Sequence, residues 1–308
     1  MNNKPVVLYH AYGLKELYYQ VIFSALTLFH HLGDNTDEIT CIIYTDDTRL
    51  FKKYLQEFPV KYEQLTLESI KAYRGPQDFV HRLKIFIIQD CLTKYQHKIL
   101  YMDADTYFLK SPLPLIREIS PALAIMNSDD YDMQDAGDLE EKSWLMIRKV
   151  VKENTFWLDG ISFKIPMTTR MWNAGIIGLD FSHLPLLDKV IQLTDQIYKI
   201  NAIFTAEQFA FSYVLQTNTK LKPTEDYLVH YWPNAWPNPQ KILYNYHFNI
   251  FFKNNTALPG KELAFKAFEL TQKRNELKLP PKTLLNRITL RLKLITEVAL
   301  KGRITSNY

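Results

Sequence analysis

The chain has 308 residues, 47% hydrophobic and 23% charged, a balance that can offset the ordering entropy of folding and excludes intrinsic disorder. Only 9 Gly and 2 Cys are present, which excludes a fibrous protein and a disulfide-stapled scaffold. The net charge of +4 is unevenly spread: residues 261–308 hold 11 Lys and Arg against 4 Asp and Glu, so a slightly acidic body carries a basic tail.

Residues 4–10 are a short apolar run ended by Ala11-Tyr12-Gly13, a strand and then a turn. The polar start is no secretory signal and no apolar run approaches the ~20 residues of a membrane span, so a cytoplasmic location is expected. Cys41 and Cys91, in apolar runs, read as reduced core residues. Helical spacing of Leu17, Val21, Ala25 and Leu28 predicts a helix over 14–32, stopped by Gly33. A buried strand follows at 39–44, a helix at 50–58, an alternating strand at 60–67, a long helix at 77–95 and a buried strand at 98–102. This alternation predicts an α/β fold, a mostly parallel twisted sheet with helices on both faces. Residues 122–126 form a further strand. Residues 127–160 are a long acidic excursion with a helix near 142–151, read as a lid or an acceptor-facing element. A strand at 173–179, helices at 187–199 and 207–216, and an aromatic, Pro-marked loop at 229–239 complete a domain over 1–255. Residues 256–308 form a basic helical extension.

The chemistry centres on Asp103-Ala104-Asp105, directly after the apolar strand Lys98-Ile99-Leu100-Tyr101-Met102. In an extended segment residues i and i+2 point the same way, so two carboxylates leave the carboxyl end of a buried strand together, where open α/β sheets bind ligands. A divalent cation between them and a diphosphate would neutralise both. The competing reading is a solvated acidic turn.

Combined with His81-Arg82-Leu83-Lys84 upstream, this segment resembles the core signature of glycosyltransferase family 8. Three later segments match in order: Trp172-Asn173-Ala174-Gly175, Glu207-Gln208 and Val229-His230-Tyr231. The resemblance covers roughly residues 4–240. It implies a GT-A fold and a metal-dependent glycosyltransferase that moves a sugar from a nucleotide-diphosphate donor, expected to be a UDP-sugar, to a glycan or lipid-linked hydroxyl acceptor with retention of configuration. It implies a metal site of Asp103, Asp105 and His230. An imidazole ligand suits Mn2+ better than Mg2+, which prefers an all-oxygen shell. It also implies that Gln208 lies beneath the anomeric carbon and that Glu207 orients hydroxyls; the bland reading of this pair is a helix N-terminus that favours acidic residues. Asn173 and Gly175 would face the donor sugar, Arg82 would hold the sugar or diphosphate, Asp129 would take a donor hydroxyl, and Tyr9 and Ala11 would border the nucleotide base. For Asn173 the alternative is a strand-edge amide bonded to backbone, for Arg82 a solvated helix charge, and for His230 a buried imidazole satisfied by backbone.

Two departures stand out. The family's late loop carries a Lys where this chain has Ala235, and its first strand here, Tyr9-His10-Ala11-Tyr12, lacks the acidic base-reading residue of some members. Tyr231, Trp232 and Trp236 read either as a sugar-stacking platform or as core. The stripe Leu284, Ile288, Leu292, Ile295, Ala299, flanked by Arg287, Arg291 and Lys293, reads either as a packed helix or as a membrane-surface contact over 283–300. The basic cluster has few aromatics for base stacking, so nucleic acid is not an expected partner. Two competitors remain: a catalytically silent nucleotide-sugar or glycan binding module, and a sugar-nucleotide pyrophosphorylase. The second needs a Gly-rich, Arg-containing phosphate loop where this chain reads HAYGLKEL.

Overall fold

The computed structural model describes residues 4–133, 142–231 and 239–273. The chain divides into two compact units, Met1–Gln272, which carries the sheet and the motifs, and Lys273–Tyr308. The segment 283–300, Trp232, Ala235 and Trp236 lie outside the described residues.

A seven-stranded sheet organises this unit. In chain order its strands are β1 (Val6–Ala11), β2 (Thr40–Thr45), β3 (Val60–Gln64), β4 (Ile99–Met102), β6 (Leu123–Met126), β11 (Ile176–Leu179) and β12 (Lys220–Lys222). Across the sheet the order is β12-β6-β11-β4-β1-β2-β3. The β1–β2, β2–β3, β1–β4 and β6–β12 pairs are parallel, whereas β11 runs antiparallel to both β4 and β6. The α/β class and the mostly parallel sheet are as the sequence predicts. β1, β2 and β4 are almost wholly buried, as expected of strands covered on both faces.

The helices that matter for the site are α1 (Lys15–Leu32), α3 (Leu67–Arg74), α4 (Arg82–Tyr95), α7 (Leu184–Ile200) and α8 (Ala206–Asn218). The sequence expectation of a strand over 60–67 and a helix from 77 is corrected. β3 stops at Gln64, and Thr66 caps α3 with a reciprocal Thr66–Ser69 pair. This capping box satisfies two orphan backbone donors and starts a helix where alternation suggested more strand. The excursion at 127–160 contains β7 (Asp129–Asp132), paired antiparallel with β10 (Arg170–Trp172), and α6 (Lys142–Glu153). Trp144, Ile147, Val150 and Val151 of α6 are buried in the main core, so this half of the excursion is docked on the body.

Past the expected domain boundary at 255, α10 (Gly260–Gln272) packs on α1 through buried Leu263, Ala264 and Ala267, and Phe268 stacks on His30 at 4.2 Å. The apolar stripe of α10 therefore places the end of the unit at Gln272. No helix among the described residues is long and apolar enough to cross a membrane.

Candidate metal and donor site

Topology brings the motifs to one end of the sheet's central strands. β4 ends at Met102, and because β11 runs the other way, its beginning lies beside that end: Ile176 pairs with Met102, and Asp103 N–H donates to Gly175 O at 2.7 Å. β6 also ends here, with Asn127 N–H donating to Asn173 O at 3.0 Å. A short antiparallel ladder, β5 (Thr106–Phe108) with β13 (Leu228–His230), pairs His230 with Thr106. Tyr231 N–H then donates to Asp105 O at 3.1 Å. Residues more than a hundred positions apart are thus set within one cluster by backbone pairing.

Asp103 and Asp105 meet across a bend rather than an extended segment, closed by Thr106 Oγ1 donating to Asp103 O at 2.8 Å. Ligand atoms of Asp103, Asp105 and His230 all lie within 4.8 Å of one another. His230 Nε2 stands 3.3 Å from Asp105 Oδ1, roughly the spacing of adjacent ligands around an ion with bonds of about 2.1 Å.

The His230 ring is oriented by the Asn-Ala-Gly segment. Asn173 Oδ1 accepts from Gly175 N–H at 2.9 Å and lies 2.9 Å from His230 Nδ1. An amide oxygen only accepts, so Nδ1 carries the hydrogen and the lone pair of the neutral ring is on Nε2, facing the Asp105 carboxylate. Two lone pairs so placed call for a cation between them. Burial opposes charge on His230, but the neighbouring Asp105, bonded to it, and Asp103 outweigh burial and raise its pKa. A proton or a divalent ion satisfies the arrangement, and the mixed oxygen and imidazole donor set fits a metal of the Mn2+ type. Gly175 is required sterically, because a β-carbon built there would overlap the His230 ring.

Lys84 is the residue that sequence reasoning missed. α4 leads into β4 and packs on the adjacent strand β1, and its first turns reach the carboxyl end of β4. From there Lys84 Nζ donates to Asp103 Oδ2 and Ala174 O, each at 3.1 Å, and pairs with Glu207 Oε1 at 3.0 Å. The Lys84 and Glu207 side chains are only 6% and 4% exposed. Burial alone would lower the Lys84 pKa, yet Asp103 and Glu207 reverse that and raise it. Burial pushes the Glu207 carboxyl up, with Lys84 opposing. Glu207 is therefore an ion-pair partner inside the cluster, and Gln208, half-buried, follows it in the first turn of α8.

Arg82 is not brought to this cluster. Its guanidinium donates to both oxygens of Asp195 on α7 at 2.7 and 3.0 Å and to Tyr73 O at 3.0 Å, over Gly75 at φ 70°. Residues two apart on a helix lie on opposite faces, so Arg82 braces α3 and α7 while Lys84 turns inward. The first strand differs in a similar way. Tyr9 and Ala11 are wholly buried, and Tyr9 Oη is 3.1 Å from Ser24 on α1. The opposite face presents His10, whose Nδ1 lies 2.9 Å from Tyr101 Oη. Burial, with Lys84 adding to it and Asp103 opposing, pulls His10 down to about 4, and burial with Lys84 pulls His81 down to about 3. His230 alone of the three is pushed up. Asp129 is held by Arg170 Nε at 2.6 and 2.8 Å in the β7–β10 ribbon. Tyr231 is core, packed on Tyr244 at 4.4 Å and buried with Phe248.

No protein-family description and no curated protein matches the chain. Among solved structures it is similar to the galactosyltransferase LgtC in complex with donor and acceptor sugar analogues. That likeness has 10% identity and a TM-score of 0.49, covering 90% of this chain and 98% of that one. An active-site mutant of LgtC gives 10% identity and 0.48 over 71% and 73%, and apo mouse xyloside xylosyltransferase 1 gives 11% and 0.47 over 71% and 84%. What the site does follows from this chain's own side chains.

Proposed function

We propose that the chain is a metal-dependent glycosyltransferase, resembling family 8, that moves a sugar from a nucleotide-diphosphate donor to a hydroxyl acceptor. The observation that carries this reading is the convergence of Asp103, Asp105 and the Nε2 lone pair of His230 at the carboxyl end of β4. Asp103, Asp105 and His230 would hold a divalent cation, which would supply charge neutralisation for the donor diphosphate and the leaving nucleoside diphosphate. The protein's own part is positional and electrostatic. Asn173 and Gly175 fix the imidazole, and Lys84 bridges the Asp103 and Glu207 carboxylates and balances their charge. Gln208, a poor nucleophile, sits beside this pair and is assigned to the face beneath the anomeric carbon. Its amide suits stabilising developing positive charge with front-side attack and retention. A UDP-sugar is the proposed donor and a glycan or lipid-linked hydroxyl the proposed acceptor.

The test is a thermal-shift panel of nucleotide sugars with and without Mn2+. A ligand at 100 times its dissociation constant stabilises the native state by about 2.7 kcal/mol, so one donor should raise the melting temperature by several degrees only when Mn2+ is present. Mn2+ should outperform Mg2+ at matched saturation, because His230 contributes nitrogen. A flat panel, or a shift independent of metal, contradicts the reading.

A further inference from the structure

Asp103 is gripped from a side that the transfer chemistry does not use. Tyr101 Oη donates to Asp103 Oδ1 at 2.6 Å, and the same oxygen lies 2.9 Å from His10 Nδ1. A phenol has one proton. Since the carboxylate only accepts, that proton goes to Asp103, and the second bond must run from His10 Nδ1–H to the phenol oxygen. The order is therefore fixed: His10 donates to Tyr101, and Tyr101 donates to Asp103.

The rings are fixed as well. His10 stacks on Tyr101 with centroids 5.8 Å apart and planes 24° apart, and on Tyr12 at 6.3 Å and 26°. Tyr101 is fully buried within β4, on the same face as Asp103 two residues later. The other carboxylate oxygen is held by Lys84 at 3.1 Å.

We propose that the His10–Tyr101 pair positions Asp103 for the cation, so that the carboxylate is aimed before metal or donor arrives. Resting on the site reading above, this makes Tyr101 and His10 positioning residues rather than ligands. A donor that already accepts a hydrogen bond is a stronger one, and losing an outer partner of a metal ligand typically costs 10–100-fold in metal affinity or activity.

The test is Mn2+ titration of the full chain, without nucleotide, followed by electron paramagnetic resonance. Tyr101→Phe keeps the ring and removes the donor, and should weaken Mn2+ binding by about 10-fold or more with the metal-free melting curve retained. His10→Phe keeps the stack, leaves Tyr101 in place and should weaken binding in the same direction by a smaller factor. It also serves if Tyr101→Phe does not fold. Tyr44→Phe is the matched control. Tyr44 is a buried tyrosine on β2, two strands from β4, whose hydroxyl donates to Asp90 at 2.6 Å, and its loss should leave Mn2+ affinity unchanged. Wild-type affinity in folded Tyr101→Phe, or an equal loss in Tyr44→Phe, overturns the positioning role while the site reading stands. Wild-type protein that takes up no Mn2+ overturns both.

Discussion

Replacing Lys84 by Met is expected to destabilise the protein by about 3–5 kcal/mol near neutral pH, the cost of leaving a buried charge without its partner. Lys84 is the cation shared by Asp103 and Glu207, and Glu207 has almost no access to water with which to replace it. The loss should depend on pH in a definite direction. The Glu207 carboxyl is already raised by burial, and Lys84 is the neighbour that pulls it down. In the variant the folded state binds that proton more tightly than the unfolded state does. Stability then falls as pH rises from the ordinary carboxyl range through the raised folded value. Urea unfolding of Lys84→Met should show a smaller deficit against wild type at pH 5 than at pH 7.5, and adding Glu207→Leu should recover part of it. A deficit that is equal at both pH values would contradict the assignment of Glu207 as the stranded charge.

Asp103→Ala is expected to lower sugar transfer by about 10³-fold, since a lost metal ligand removes several kcal/mol of charge stabilisation and each 1.4 kcal/mol is a factor of ten. The fold should survive, because Lys84 still has Glu207 and the Ala174 carbonyl. Release of labelled nucleotide diphosphate from the best donor, with and without acceptor, reads the effect directly. Transfer within ten-fold of wild type would sink the role given to Asp103.

Much of this was legible in the chain because it depended on local pattern. An apolar strand ending in Asp-x-Asp, and an Asn-Ala-Gly segment before another apolar run, declare their strands and the residues at their tips. Strand direction is not encoded in such runs. The antiparallel setting of β11, which brings Gly175 beside Asp103, arises from the path of the connections. Three-residue ladders such as β5–β13 are too short for periodicity, so the arrival of His230 at Asp105 was visible only through resemblance.

For Arg82, Tyr9 and Ala11 the sequence left one thing open, which is parity. In His81-Arg82-Leu83-Lys84 the sequence marks a cationic start to α4 but not which cation turns inward. The structure pairs Arg82 with Asp195 and sends Lys84 to Asp103. In β1 the same ambiguity, with period two, hid that Tyr9 and Ala11 turn to a buried face while His10 turns to Tyr101. Each was a choice between faces, and faces are decided by the neighbours that close over them: α1 over Tyr9 and α7 over Arg82.

Anomalous diffraction at the manganese edge, from a crystal grown with Mn2+ and UDP, tests the central claim most directly. The peak is expected between the Asp103 and Asp105 carboxylates and His230 Nε2, with Nδ1 still bonded to Asn173. A map without a peak there, in which Nε2 instead donates a hydrogen bond to Asp105, would contradict it.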